Sequence, residues 1–318
     1  MSRTMNRCQY RAFGLLIEAD FDLPELLPAE PMETSDIRVT LAGSEREAWL
    51  AKMPMRPGQF VPLPCGGFLL DIPEVALFRV ADGCSIEVAP AADADPGMIR
   101  LFTIGSALGM ALHQRGILVL HGATVARDGK ARVIVGDSGA GKSTLAARLG
   151  QAGCTVLGDD TIAVFPAPQD AAGHWVWPGS RVFKLWHDAI DDLGLATGDL
   201  LRIGNREDKF YAPNPGQADD AAVPCALVEI LALQSCDAAP RVAPVDGIRA
   251  LRTIAQNTYR PEYVAPLGRE AAHFRQCAAL SRDVLVSRLN RPWGAEHFDA
   301  VTDAVLARWG PGAAWKAS

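Results

Sequence analysis

The stretch Val133-Ile134-Val135 followed by Gly136-Asp137-Ser138-Gly139-Ala140-Gly141-Lys142-Ser143 constrains this chain more than any other. Three β-branched apolar residues suit a buried strand of the parallel type. The next eight match the pattern G-x-x-x-x-G-K-[ST], in which glycines let the backbone wrap closely round an anion. Leu145, Ala146 and Leu149 then recur at helical spacing, and Gly153 is a helix stop. Strand, loop and helix in that order present consecutive N–H groups and a helix N-terminus to phosphate oxygens. The pattern assigns phosphate contacts to Gly136, Asp137, Ser138, Gly139, Ala140, Gly141, Lys142, Ser143 and Thr144. Lys142 would reach the outer phosphates and the Ser143 hydroxyl would ligate Mg²⁺. A nucleoside triphosphate such as ATP, with Mg²⁺, is therefore the expected ligand. The reaction stays open, because such loops serve motors, switches and kinases alike.

Cys154-Thr155-Val156-Leu157 reads as a second buried strand, with Asp159 and Asp160 at its C-terminal end. An open α/β sheet places its ligand crevice at such ends. Two adjacent carboxylates can divide the work of holding Mg²⁺ and accepting the proton of an attacking hydroxyl. The bland alternative is a solvated Asp-Asp-Thr turn. His121 ends the apolar run 117–120 and is expected beside the strand at 133–135 across a hairpin at Arg127-Asp128-Gly129-Lys130. A lone histidine at a strand end is commonly a structural residue. Arg181 and Lys184 could face the outermost phosphate, or could belong to a solvated basic loop.

His121-Gly122, the loop 136–143 and Gly158-Asp159-Asp160, in that order, resemble the catalytic domain of bacterial HPr kinase/phosphorylase. The resemblance implies an α/β fold with a P-loop kinase core of the HPr kinase type and a smaller β-rich N-terminal domain. It makes Asp159 the general base, Asp160 its metal- or water-linked neighbour, and His121 and Lys142 site residues. Ser143 and Asp160 are the implied metal ligands. Two features depart from that family: the segment 178–186 carries no acid where a glutamate-containing signature is expected, and the HPr-type N-terminal domain is not recognisable. Tyr10-Arg11-Ala12-Phe13-Gly14-Leu15, Leu23-Pro24-Glu25-Leu26, Leu112-His113-Gln114-Arg115-Gly116 and Leu185-Trp186 are similar to HPr-kinase-related proteins of peptide-modification clusters, among them lasso peptide kinases. That likeness implies a peptide or small protein with an acceptor serine near its C-terminus as partner. An HPr-directed kinase, a metabolite kinase and a nucleotide-binding regulator remain alternatives. A GTPase would need N-K-x-D and a transport ATPase L-S-G-G-Q, and neither stretch occurs.

Composition narrows the partners. A net charge of −6 over 318 residues provides no basic field for nucleic acid. Seven singly scattered cysteines without a C-x-x-C pair suggest neither a zinc site nor a disulfide framework. Without an apolar N-terminal signal, and with Leu101 to Leu120 interrupted by His113-Gln114-Arg115, the expectation is a cytoplasmic protein off the membrane.

Residues 1–96 are expected as a β-rich domain with strands at 10–17, 36–41, 67–72, 75–80 and 85–88, an Asp82-Gly83 hairpin turn and a linker at 91–96. Residues 97–318 form the expected catalytic domain. Its helices are placed at 98–114, 188–194, 247–257 and 269–289, with strands at 175–177 and 226–233. A polar loop with Arg206 and Lys209 is expected at 204–220. A terminal helix carrying Phe298, Val301, Val305 and Trp309 suits the core or a homo-oligomer contact.

Overall fold

The computed structural model describes residues 8–42, 48–50, 55–56, 58–63, 67–167, 172–195, 200–203, 209–213 and 224–309. The N-terminal part is an eight-stranded sheet of β1 (Cys8–Ala12), β2 (Leu15–Ala19), β3 (Leu27–Pro28), β4 (Ile37–Leu41), β5 (Phe60–Pro62), β6 (Gly67–Ile72), β7 (Ala76–Ala81) and β8 (Ser85–Pro90). Their order is β3-β1-β2-β4-β8-β7-β6-β5. The expected single strand at 10–17 is a hairpin: Phe13 and Gly14 take φ of 56° and 72° and reverse the chain. The expected turn at Asp82-Gly83 forms, again with both φ positive.

Asp95 opens the next helix, its side chain accepting the Gly97 N–H at 2.7 Å with Pro96 at the first helical position. The helix runs as α1 (Pro96–Phe102), a π turn at Thr103–Ala107, and α2 (Leu108–Gln114). Ile104, Leu108, Met110 and Leu112 share one buried core with Ile17, Phe78 and Val88 of the N-terminal sheet.

The second sheet has seven strands in the order β10-β9-β11-β12-β16-β18-β17. Its members are β9 (Leu118–Arg127), β10 (Lys130–Val135), β11 (Thr155–Pro166), β12 (His174–Val176), β16 (Cys225–Ser235), β17 (Arg241–Pro244) and β18 (Leu285–Arg291). A small third sheet, of β13 (Val182–Trp186), β14 (Leu201–Arg202) and β15 (Lys209–Pro213), packs beside it. The remaining helices are α3 (Lys142–Gln151), α4 (His187–Asp192), α5 (Gly247–Gln256), α6 (Glu270–Asp283) and α7 (Phe298–Arg308).

Leu145 and Leu149 of α3 and Val301 and Val305 of α7 share one core with Ile134 and Leu231. Ala250 and Ile254 of α5 and Cys277 and Leu280 of α6 share another with Val133 and Ile230. Adjacent residues of β10 and of β16 thus feed opposite cores, so helices cover both faces of the sheet, a mixed α/β architecture. Val301, Val305 and Trp309 are buried here in the chain's own core.

Two further expectations change. The helix foreseen at 269–289 stops at Asp283, and residues 285–291 are strand β18, parallel to β16. Lys209 begins a strand rather than lying in a loop, while Arg206 and residues 214–220 fall outside the described residues. The sheet is mixed: β10 is antiparallel to β9 and parallel to β16. Among the described residues no helix is long and apolar enough to cross a membrane.

Candidate active site

Strand register assembles the centre. Gly122 of β9 is level with Val135 of β10 on one side and with Asp160 of β11 on the other, and His121 pairs with Thr161. Gly122 is required in this row, since a Cβ there would lie 2.5 Å from the Ile134 carbonyl. The loop 136–143 leaves β10 at this level and enters α3 through Gly141, whose φ is 80°. A side chain at Gly141 would also meet Arg291 at 2.7 Å.

The acid pair does not end a strand, as the sequence suggested. Strand β11 continues to Pro166, with a register shift between Val156 and Gly158 and a φ of 75° at Asp160. A regular strand sends neighbouring side chains to opposite faces. The left-handed residue breaks that alternation, so both carboxylates reach the same cavity. Strand β9 likewise continues past His121 to Arg127.

The two acids hold different partners. Asp159 is buried; its Oδ1 accepts the Ser143 hydroxyl at 2.8 Å and its Oδ2 the Lys184 N–H at 3.1 Å. Burial, reinforced by the neighbouring Asp160, pushes its pKa up to about 6. Asp160 Oδ2 accepts from Lys184 Nζ at 2.8 Å, and its Oδ1 lies 3.5 Å from His121 Nδ1. Burial pushes Asp160 up too, but Lys184, then His121 and Arg260, override it and hold the carboxyl below the usual range. Burial alone would lower Lys184, and the Asp160 carboxylate reverses this. Burial keeps His121 below its ordinary pKa despite the neighbouring Asp160 carboxylate. Its ring stacks on Tyr259, 6.0 Å between centroids at 13°.

Lys142 Nζ donates to the loop's own carbonyls, Gly136 O at 2.9 Å and Asp137 O at 3.0 Å. Arg181 lines neither cavity at the site; its backbone N–H donates to the Glu25 carbonyl at 2.8 Å. Glu25, from the Leu-Pro-Glu-Leu stretch, is buried and pairs with Arg100 at 2.9 Å. That stretch therefore anchors the N-terminal sheet to α1 and to the segment before β13.

Several contributors are invisible in the loop motif. Asn257 Oδ1 accepts the Gly136 N–H at 2.9 Å and so sets the start of the loop. Arg291, at the C-terminal end of β18, is buried, donates to the Ala140 carbonyl and stacks 5.1 Å over Trp293. Strands β10, β16 and β18 run parallel, and ligand crevices lie at the carboxyl ends of such strands; that rule would have found Arg291 had residues 285–291 been read as strand. Tyr259 packs on the π turn and on the start of α2: a Cβ on Gly105 would come within 3.2 Å of its hydroxyl, and one on Gly109 within 2.7 Å of its ring.

Two cavities meet at the acid pair. One, of about 560 Å³, borders the helix side of the loop at Gly139, Gly141, Lys142 and Ser143, and is closed by Arg291 and Trp293. The other, of about 520 Å³, lies between the π turn and residues 256–262. His121, Ser138, Asp160 and Lys184 line both.

The fold is a mixed α/β one, in which a glycine-turned strand–loop–helix lies beside the buried Asp159 and its neighbour Asp160. Residues 84–189, about a third of the chain, match the family described as SynChlorMet cassette protein ScmC. That span holds His121, the loop, both acids and Lys184, and stops short of Asn257, Tyr259, Arg260 and Arg291. A solved structure, the Hpr(Ser) kinase/phosphatase from Coxiella burnetii, is similar at 15% identity and a TM-score of 0.27, over 60% of this chain and 99% of that one. No curated protein matches the chain.

Proposed function

We propose that this chain is an ATP-dependent kinase that transfers the outer phosphoryl group to a serine hydroxyl of a peptide or small protein. The observation that carries the reading is a glycine-turned loop and helix N-terminus facing an ionised carboxylate at the join of two cavities. Phosphoryl transfer needs mainly positioning and electrostatic stabilisation, and these parts supply both.

The donor set suits Mg²⁺. Ser143 Oγ and the adjacent carboxylates are hard oxygen ligands. Among the described residues no group of three or more His, Cys, Asp or Glu could hold a metal. That fits an ion held partly by phosphates rather than by a protein cage. When bound, Mg²⁺ would neutralise charge on the phosphate oxygens.

Lys142, now curled onto two loop carbonyls, would exchange them for phosphate oxygens. Asp159 is tied through both oxygens, to Ser143 and to the Lys184 N–H, and lines only the helix-side cavity. Asp160 faces both cavities and is ionised at neutral pH. The geometry therefore favours exchanging the expected roles: Asp160 accepts the hydroxyl proton, while Asp159 joins Ser143 beside the cation. Lys184 and His121 hold Asp160 in place.

The acceptor class rests on likeness of sequence. The stretches 10–15, 23–26, 112–116 and 185–186 favour a lasso-type peptide with its serine near the C-terminus over HPr. Incubation with γ-labelled ATP, Mg²⁺ and serine peptides tests the reading. Label should pass to peptide serine with the parent and not with Lys142→Ala. Failure of the parent to bind ATP, or undiminished transfer by Lys142→Ala, would overturn it.

A further inference from the structure

The two cavities are not equivalent, and the difference assigns a second ligand. The helix-side cavity borders the residues that offer N–H groups and the Ser143 hydroxyl. The other touches the loop only at Gly136, Asp137 and Ser138. In-line transfer puts the attacking and leaving oxygens on opposite sides of the phosphorus. A nucleotide entering along α3 leaves the second cavity as the approach to the shared residues Ser138, His121 and Asp160.

Asp137, Asp160 and Glu262 line that second cavity together with Lys184 and Arg260. Lys184 is matched by Asp160 at 2.8 Å. Arg260 Nη2 donates to Ser106 Oγ at 2.9 Å, its guanidinium lies 5.9 Å from the Tyr259 ring centroid, and the exposed Glu262 carboxylate is 3.7 Å away. Its guanidinium carries five donors, enough for a bidentate acceptor besides Ser106. The backbone of Arg260 is left-handed at φ 48°, a conformation retained where surroundings impose it. Asp160, the other left-handed non-glycine residue on this cavity, lies across from it. Leu101, Phe102, Ile203 and Pro261 supply apolar wall.

We propose that the cavity between the π turn and residues 256–262 is the acceptor site, and that Arg260 there binds a carboxylate close to the acceptor hydroxyl. The proposal rests on the phosphotransferase reading above. The carboxylate is either the chain terminus of an acceptor ending in serine or an acidic side chain beside the serine.

Three labelled peptides of one core sequence separate these sources: serine-terminated with a free carboxylate, the same peptide amidated, and an amidated peptide with glutamate next to the serine. Binding is read by fluorescence anisotropy with Mg²⁺ and a non-hydrolysable ATP analogue. The parent should bind at least one anionic peptide about tenfold more tightly than the neutral one, as one charge-assisted pair implies. Which anionic peptide gains identifies the source. Arg260→Ala should abolish the preference and Arg260→Lys retain part of it, with affinity for the ATP analogue unchanged. Arg260→Gly, which accommodates the positive φ, repeats the test should the alanine variant not fold. A parent that binds all three peptides equally or none of them, or an Arg260→Gly variant that keeps the preference, overturns the acceptor site. A parent that binds no ATP analogue instead overturns the kinase reading.

Discussion

The seven-stranded sheet carries two buried carboxylate centres with opposite wiring. Glu229 in β16 is fully buried, with Arg308 Nε at 3.3 Å from one oxygen and Trp309 Nε1 donating to the other at 2.8 Å. Arg132 is its register partner on β10 and stacks 4.4 Å from the Trp309 ring. No cavity described above is lined by Glu229. At Asp159 and Asp160 two adjacent carboxylates lie beside open space, Asp160 paired with the Lys184 ammonium and Asp159 with the Lys184 backbone N–H. A buried charge whose partners are complete holds the fold together, whereas a crowded pair beside a cavity stores unfavourable electrostatics that a ligand can relieve.

The contrast can be broken by substitution. The largest effect is expected at Asp160. Asp160→Asn should lower phosphoryl transfer by about 10³-fold, the usual scale for a lost general base, with nucleotide still bound. Label transfer alongside nucleotide binding checks this, and near-parental transfer would remove Asp160 from the chemistry. Glu229→Gln should do the reverse. It leaves Arg132 and Arg308 without their counter-charge and should cost about 2 kcal/mol of stability, with Arg308 partly exposed. Thermal unfolding would show a lower Tm, and the specific activity of folded protein should match the parent.

Asp159→Asn sharpens the comparison through pH. The folded pKa is about 6 against an ordinary 3.8. Ionisation is therefore penalised in the folded state, from pH 3.8 upward and in full above about 6. Without nucleotide or Mg²⁺, the variant should melt above the parent at pH 7.5, and that gain should vanish as pH falls through 6 toward 4. A gain that persists at low pH would show that the carboxylate's charge is not its cause. The smallest effect belongs to Asn257→Ala. Losing the acceptor for the Gly136 N–H should weaken nucleotide affinity by several-fold, about 1 kcal/mol, measurable by titration.

Legibility along the chain followed the range of the forces involved. Helix α3 ends at Gln151, just ahead of the stop that the sequence marks at Gly153, because a glycine limit acts locally. The reversals at Asp82-Gly83 and Asp128-Gly129 were legible for the same reason. Residues 285–291 were misread, since Leu285, Val286 and Leu289 suit a helix stripe as well as a strand. Their pairing with β16, far away in sequence, decides between the two. Asn257, Tyr259, Arg260 and Arg291 escape the sequence reading because each meets its partner at the site (the loop, His121 or Ser106) across more than 100 residues of chain.

By itself the sequence determined the strand, glycine-turned loop and helix at 133–151, because glycine backbone freedom and a helix start depend on near neighbours only. It also identified His121, Lys142, Asp159 and Asp160 as candidates. Only the tertiary structure decided how these meet. The register of β9 and β11 sets Asp160 level with Gly122, a left-handed residue turns both carboxylates to one side, and packing of the π turn against Tyr259 opens the second cavity. Those features depend on side chains from distant segments competing for the same space, which residue spacing along the chain does not encode.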